Sequence, residues 1–510
     1  MTEPIRTACA VREVARVRDL LDFVPALRTG RNAWLLDSAL PSPRLGRFSF
    51  AGADPYLVMT ARGGEVSLDV RRAVRPDLPQ GLRNVCGDPL DLLRACLPPP
   101  PSILDPNAAQ LPFIGGAVGC LGHALAAVTE PICFAPRAGA ALPDLALFFV
   151  DRVLALDHAR SRLLAVGLGF GGGDAEAQAC AERALEELLA RLDAPVAQPR
   201  QTVAGRGRAA ASRVRGASAA EYAARVREVK ARIEAGDVYQ VCLTHRLETE
   251  CHADPFDLYT ALRRLSPAPF AAYLELDEAR LLSSSPERFL RLDAAGRVET
   301  RPIKGTRRRG ENPAADAKQR AELVASAKDR AENVMIVDLA RNDLGRVCET
   351  GSVEVTELFA IEEYATVFQL VSSVTGRLAP GRDALDLVRA AFPPGSMTGA
   401  PKLAALRILD RLEPDARGFY GGALGYFDLR GGAELSVVIR TLLLREGRAE
   451  LHVGGGIVAD SDPAAEHQES MDKAAALLAA LASVDEEEKP AGGTATGGEE
   501  CSGASRWGSC

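Results

Sequence analysis

Apolar residues in this chain recur in two rhythms, and each change of rhythm marks an element. Ala33–Leu36 and Phe48–Ala51 are short apolar runs bounded by Gly and Pro, and they predict strands. Leu147–Leu156 predicts a longer strand that pairs with Leu163–Val166 around a turn at Asp157–Arg160. Ala175–Leu192 has the period of a helix and stops at Asp193-Ala194-Pro195. Residues 194–218 lose any apolar period and turn Ala-, Arg-, Gly- and Pro-rich, the composition of a linker or mobile loop. Beyond them Tyr222, Val226, Val229 and Ile233 recur at helical spacing, with Gly236 where a C-terminal cap belongs. Val238–Leu243 then predicts a strand with Tyr239, Val241 and Leu243 on one face and Val238, Gln240 and Cys242 on the other. Helices and strands alternate up to residue 483, and residues 484–510 carry too little apolar content to fold. The expected organisation is therefore 1–193, a linker over 194–218, a second region over 219–483, and a disordered tail over 484–510.

Composition narrows the class. Hydrophobic residues are 47% of the 510 and charged residues 25%, the values of a soluble globular protein with ample core. A net charge of −7 argues against nucleic acid as a partner. The eleven cysteines include no CxxC pair, so no zinc site or disulfide framework is expected. Met1–Ala10 has no apolar signal-peptide core. The most apolar stretch, Leu142–Leu156, holds Asp144, Asp151 and Arg152, which rules it out as a membrane span. The expected compartment is a reducing cytoplasm. Gly167, Gly169 and Gly172 fit a G-x-G-x-x-G fingerprint, but no second acid-ended strand follows before the linker. A flexible glycine loop is expected there instead of a dinucleotide site.

Several segments carry residues that suit chemistry. A strand glutamine such as Gln240 is ordinarily just a satisfied polar group. Glu287 follows Ser-Ser-Ser-Pro, where a carboxylate often opens a turn. Lys304 stands in Arg301-Pro-Ile-Lys-Gly-Thr306-Arg among several arginines; their charge, or burial, would disfavour its ammonium form and free an amine nucleophile. Asp329 and Glu332 share one helix face, and Glu466 and Glu469 share another. Two such pairs could form an oxygen-only site for a hard cation such as Mg²⁺, which takes one or two carboxylates directly and keeps several waters. Phe392–Lys402, with Thr398, reads as a loop opening a helix, whose amides and hydroxyls could grip a carboxylate. Gly454–Gly456 follows the strand Glu450–Val453, and Arg440 lies in the expected strand Leu435–Leu444. Arginine suits a bidentate carboxylate clamp.

Taken in order, GDVYQV, SSPERF, RPIKGT, KDRAENVMIVDLARND, FPPGSMTGAPK, GFYGGALGY, VVIRTL, GGGIVADS and EHQESMDK resemble the chorismate-utilising enzymes. That family includes the large subunits of anthranilate and aminodeoxychorismate synthases and the isochorismate and salicylate synthases. The resemblance covers 219–483 almost continuously and reaches the N-terminal region through Leu35–Ser38, Gly46–Phe50, Ala53–Pro55 and Pro112–Gly116. It implies an α+β fold of two sheets packed face to face with outer helices, the two halves of the chain intertwined. It makes Glu332 and Glu469 direct Mg²⁺ ligands, with Asp329 and Glu466 close by through water. Glu287 becomes the acid for the departing C4 hydroxyl of chorismate. Tyr420, Arg440, Gly454, Gly456 and Lys473 become carboxylate-binding groups, with Thr306 and Thr398 lining the pocket.

Within the family, Gln240 stands where the water-adding enzymes carry a Lys. Lys304 is the residue of the PIKGT branch, the aminodeoxychorismate synthases; anthranilate synthases, the alternative reading, usually have Ala there. In the Lys branch this side chain adds at C2 before ammonia displaces it, on the way to 4-aminobenzoate and folate. Gln369 replaces a His linked to pyruvate elimination, and Gln is no base near neutral pH. No Gly-x-Cys-x-Gly nucleophile with a downstream His-x-Glu occurs, so a separate glutamine amidotransferase subunit is the expected ammonia source. Leu35–Ser38 resembles the family's tryptophan pocket, which makes tryptophan a candidate partner of the N-terminal region.

Overall fold

The computed structural model describes residues 5–15, 19–40, 44–137, 142–193, 214–364 and 367–485. Two sheets, of thirteen and twelve strands among those residues, carry the fold, and nearly all their pairings are antiparallel. The largest core lies between them, where Trp34 and Phe50 of the first sheet meet Phe113 and Tyr426. A second core lies between the first sheet and helices that include Asp174–Leu192, Pro255–Leu265 and Pro463–Asp485. This is the expected α+β architecture. Both halves of the sequence build both sheets. Trp34–Asp37 pairs with Phe270–Glu275 in the first, and Gly116–Leu121 with Ala423–Asp428 in the second. Among the described residues no helix is long and apolar enough to cross a membrane.

The chain changes sheet at sharp corners. Leu147–Leu156, expected as one strand, is two. Leu145–Val150 lies in the second sheet and Arg152–Asp157 in the first, with buried Asp151 between them held by Arg72. Likewise Arg280–Ser285 of the first sheet gives way to Arg288–Leu292 of the second across Pro286-Glu287. Ala433–Val437 returns to the first sheet as Thr441–Arg445 across Val438–Arg440, so the expected strand Leu435–Leu444 is also split. These two corners brace each other. Ser284 N–H donates to the Arg440 carbonyl (3.0 Å), Val437 N–H to the Glu287 carbonyl (3.0 Å), and the Ser285 hydroxyl to the Val437 carbonyl (2.6 Å). Arg440 has φ 52°, a left-handed conformation that costs a non-glycine residue roughly 1–3 kcal/mol.

Other expectations change. Gly167 and Gly169 lie inside the strand Arg162–Gly171, where a Cβ would overlap the carbonyls of Ala181 and Ala177 on the crossing helix. They serve close helix-on-strand packing and form neither a flexible loop nor a phosphate cradle. Residues 194–213 of the expected linker lie outside the described residues. Its last residues are built into the fold: Arg215–Gly216 pairs with Leu247–Glu248, and Ser218 caps the helix Ala219–Glu234 in a capping box with Glu221. In the expected tail, Val484 and Asp485 complete the helix Pro463–Asp485, and 486–510 lie outside the described residues.

One buried pair ties the strand Gln240–Glu250 to the loop before the helix Lys402–Leu412. Arg417 donates to both carboxylate oxygens of Glu413 (2.7 Å each), to the Met397 carbonyl (2.6 Å) and to the Cys242 carbonyl (2.7 Å). Glu413 also accepts from the Thr244 amide (2.8 Å) and hydroxyl (2.9 Å). Removing one partner leaves a buried charge without compensation. Arg417→Met should therefore lower unfolding stability by about 3–5 kcal/mol in urea titrations. The double variant Arg417→Met/Glu413→Leu should lose less. A single variant as stable as the wild type would contradict the role given to this pair.

Candidate active site

The strands Gln240–Glu250 and Arg448–Ile457 run antiparallel, with Cys242 opposite Gly456 and Thr244 opposite Gly454. A side chain at Gly456 would overlap the Gln240 amide, and Lys304 Nζ lies 3.4 Å from the same point. Glycine at this position thus keeps the space where Gln240 and Lys304 meet. Gln240 is buried and its Oε1 has no hydrogen-bond partner. Lys304 belongs to Ile303–Arg308, at the end of the second sheet, whose pairing with Val367–Arg377 is bulged between Ile303 and Thr306.

The charges around Lys304 are not those expected. Arg301 is bound to Glu357 (3.3 Å) and Glu362, Arg307 to Asp329 (2.8 Å), and Arg309 to Asp316 (2.5 Å). Three of the four guanidiniums in this run are bound to carboxylates and the fourth, Arg308, is exposed, so their combined repulsion on Lys304 is much smaller than expected. The carboxyls that feel Lys304 are Glu287, Glu332 and Glu469.

Glu287 occupies the sheet-switching corner between Arg280–Ser285 and Arg288–Leu292 and is 7% exposed. Burial pushes its carboxyl up to about 7 from 4.5, against a hydrogen bond from Ser396 and the positive charge of Lys304. A carboxyl tuned there can carry a proton at neutral pH and give it to a leaving group. Ser396, which sequence reasoning placed only within a loop, holds this carboxyl.

The four acids stand on the helices Ala327–Gly345 and Pro463–Asp485. Burial raises the Glu332 carboxyl; Lys304 and Lys328 oppose the rise, while Asp329 and Glu469 add to it. Lys328 Nζ lies 3.9 Å from both Glu332 and Glu466. Glu469 pairs with Lys473 (2.8 Å), and Ser461 donates to Glu466 (2.6 Å). A Cβ at Gly455 would lie 3.1 Å from Glu466 and 3.7 Å from Glu469, so this glycine lets the helix acids approach the strand. Among the described residues no three His, Cys, Asp or Glu side chains gather as a metal cage. The donor set still fits Mg²⁺, which needs only one or two carboxylates with water and substrate oxygens. Asp329 is bound to Arg307 (2.8 Å).

The remaining expected residues divide. Arg440 is half-buried and has no ion-pair partner among the described residues, and loss of solvent around it lowers its guanidinium from the usual range. Lys473 also donates to the Gly454 carbonyl (2.8 Å), while a side chain at Gly454 would overlap the Leu243 carbonyl. Tyr420 stacks on His452 at 5.3 Å and lines a cleft of about 300 Å³ with Arg417 and His123. Thr398 is fully buried and its hydroxyl donates to Gly395 (3.3 Å) within its own loop. Thr306 is exposed, opposite Gln369 in the sheet. Gln369 is buried and its Oε1 is unpartnered. The N-terminal motif lines a separate cleft of about 280 Å³ through Leu36, Asp37 and Ser38, with Phe48, Tyr426 and Arg288.

Over residues 83–479 the chain matches the family model described as chorismate binding enzyme. It is 44% identical to the aminodeoxychorismate synthase of Streptomyces pristinaespiralis, over 97% of this chain and 68% of that protein. It is 38% identical to aminodeoxychorismate synthase component 1 of Salmonella typhimurium, over 88% and 92% of the two chains. Anthranilate synthase component 1 of Arthrobacter globiformis is also 38% identical, over 88% and 85%. Among solved structures, anthranilate synthase component I from Streptococcus pneumoniae superposes with a TM-score of 0.72 at 28% identity, over 86% of this chain and 93% of that one.

Glu287 gives the site a measurable signature. Its folded-state carboxyl is raised, so the folded chain holds a proton that the unfolded chain releases above pH 4.5. Stability is therefore lost as pH rises from that value through about 7. Glu287→Gln removes the loss. It should match the wild type at pH 4 and exceed it at pH 9 by on the order of 3 kcal/mol in urea titrations. An equal difference at both pH values would contradict the burial argument.

Proposed function

The chain belongs to the family of chorismate binding enzymes, and from that premise we propose that it aminates chorismate at C4 to give 4-amino-4-deoxychorismate. The observation that carries this reading is the meeting of Lys304 with Gln240 beside Gly456, in a site whose buried acid Glu287 holds its proton near neutral pH. Names among the relatives favour the same product: two of those compared are aminodeoxychorismate synthases.

The proposed sequence balances. Arg440, half-buried and without a carboxylate of its own, holds the carboxylate of the enolpyruvyl group, with Tyr420 beside it. Glu287 gives its proton to the C4 hydroxyl, which leaves as water while the Lys304 amine bonds to C2. Ammonia then bonds to C4 and the C2–Lys304 bond breaks. The proton shed by the new C4 nitrogen restores Glu287. Glu332 and Glu469 would hold Mg²⁺, with Glu466 and Asp329 nearby; when bound, the ion draws electron density from the ring carboxylate and eases loss of the hydroxyl. Gln240 offers no base for water, and its free Oε1 can accept from an N–H instead.

The alternative product is anthranilate, favoured by the relatives of that name. Gln369 counts against it, since Gln cannot take the proton that pyruvate elimination releases. Ammonia would come from a separate glutamine-hydrolysing subunit, a reading supported by the "component 1" name of a relative that this chain spans over 92% of its length. The proposed place for tryptophan is the cleft at Asp37 and Ser38. The product would feed 4-aminobenzoate and folate synthesis.

With chorismate, Mg²⁺ and an ammonium salt, the chain should form aminodeoxychorismate and no fluorescent anthranilate. Strong anthranilate fluorescence would overturn the product assignment. Lys304→Ala should lower product formation by ~100-fold or more. Glu332→Gln and Glu469→Gln should each lose turnover and raise the Mg²⁺ concentration needed for half activity. Either variant with wild-type rates at low Mg²⁺ would remove its residue from the metal site.

A further inference from the structure

We propose that Asp343 positions the carboxyl of Glu287 through one water held between them, so that Glu287 presents its proton to the substrate. The proposal rests on Glu287 being the acid of the reaction. A void of about 30 Å³ lies against Glu287, lined by Glu287, Pro394 and Ser396 and by Ala340, Asp343 and Leu344 of the helix Ala327–Gly345. That space admits a water, and a buried water needs at least two polar partners. The two carboxyls and the Ser396 hydroxyl supply them.

Asp343 is built for the task. It is 5% exposed, and its Oδ2 accepts from Lys402 Nζ at 3.0 Å. Lys402 is itself buried and donates also to the Ala391 carbonyl (2.7 Å). The second oxygen of Asp343 has no hydrogen-bond partner among the described residues. It can accept from a water that in turn accepts from the Glu287 O–H. A carboxylate at the far end of that bridge favours the protonated form of Glu287 over the ionised one.

The charges that face the pair are few. Lys304 and the Ser396 hydroxyl face Glu287, and its neighbour Arg288 is bound to Glu299 (2.5 Å) and Glu434 (2.6 Å). Lys402, Arg346 and Glu130 face Asp343. Lys402 and Lys304 oppose the effect of Asp343, so removing its charge leaves burial to hold the Glu287 proton against these two ammonium groups.

The test is the pH dependence of kcat/KM for chorismate loss between pH 6 and 9. Asp343→Asn should move the basic limb down by about one pH unit, which reads as roughly tenfold less activity at pH 8 with little change at pH 6. Ala340→Val fills the void and should produce the same downward movement with thermal stability unchanged or raised. If the Asn variant does not fold, the Val variant decides. Folded variants with the wild-type limb would overturn the proposal. Chorismate loss is common to both product readings, so a wild type that yields anthranilate leaves this test in force. A crystal structure of the wild type should show an ordered water within hydrogen-bond reach of both carboxyls; a dry void would overturn the proposal whatever the product.

Discussion

A guanidinium taken out of water must find an acceptor for each N–H, and Arg417 finds acceptors in three separate segments. Its bonds to Glu413, Met397 and Cys242 join the end of a helix, the loop that carries Ser396 and Thr398, and the strand that carries Gln240. Unpaired buried charge is expensive, so these segments have one low-energy arrangement relative to each other. The Tyr420 amide donates to the Arg417 carbonyl at 3.0 Å, which adds a fourth member. The position of Ser396 against Glu287, and of Gln240 against Lys304, follows from this joint.

The two sheet-switching corners do the rest. A strand residue points into one face or the other of its own sheet, whereas Glu287 and Arg440 sit where the chain leaves one sheet for the next. Three hydrogen bonds lock the corners together. The half-buried Arg440 forms no ion pair among the described residues, and its guanidinium remains available to an anion. Around them the charged groups lie in opposed pairs. Lys328 and Lys473 offset the helix acids, and Arg307 offsets Asp329.

Much of this was legible in the sequence. The helix acids could be placed because i,i+3 spacing fixes a shared face whatever the tertiary structure. Glu287, Lys304 and Gln240 were marked by ordered motifs, and the sheet pairs by apolar runs. The corners were not legible. Leu147–Leu156 and Leu435–Leu444 stay mostly apolar through the break because both sheets bury them, and the charges at Asp151-Arg152 and Arg440 are the local marks of the corners. Gly167 and Gly169 misled because a glycine that admits a crossing helix looks like a glycine that turns a loop. Arg301 and Arg307 misled because their partners Glu357, Glu362 and Asp329 lie 22 to 61 residues away. The pairing of Asp343 with Lys402 spans 59 residues and leaves no local trace.

If Lys304 bonds to the substrate as proposed, the bond can be trapped. Enzyme mixed with chorismate and Mg²⁺ but no ammonia, quenched in acid and digested, should yield a Lys304-containing peptide heavier by chorismate less one water. The adduct should vanish in Lys304→Ala and on addition of ammonia. A wild-type enzyme that forms aminodeoxychorismate at full rate while no adduct is ever trapped, with Lys304→Ala equally active, would contradict the covalent route.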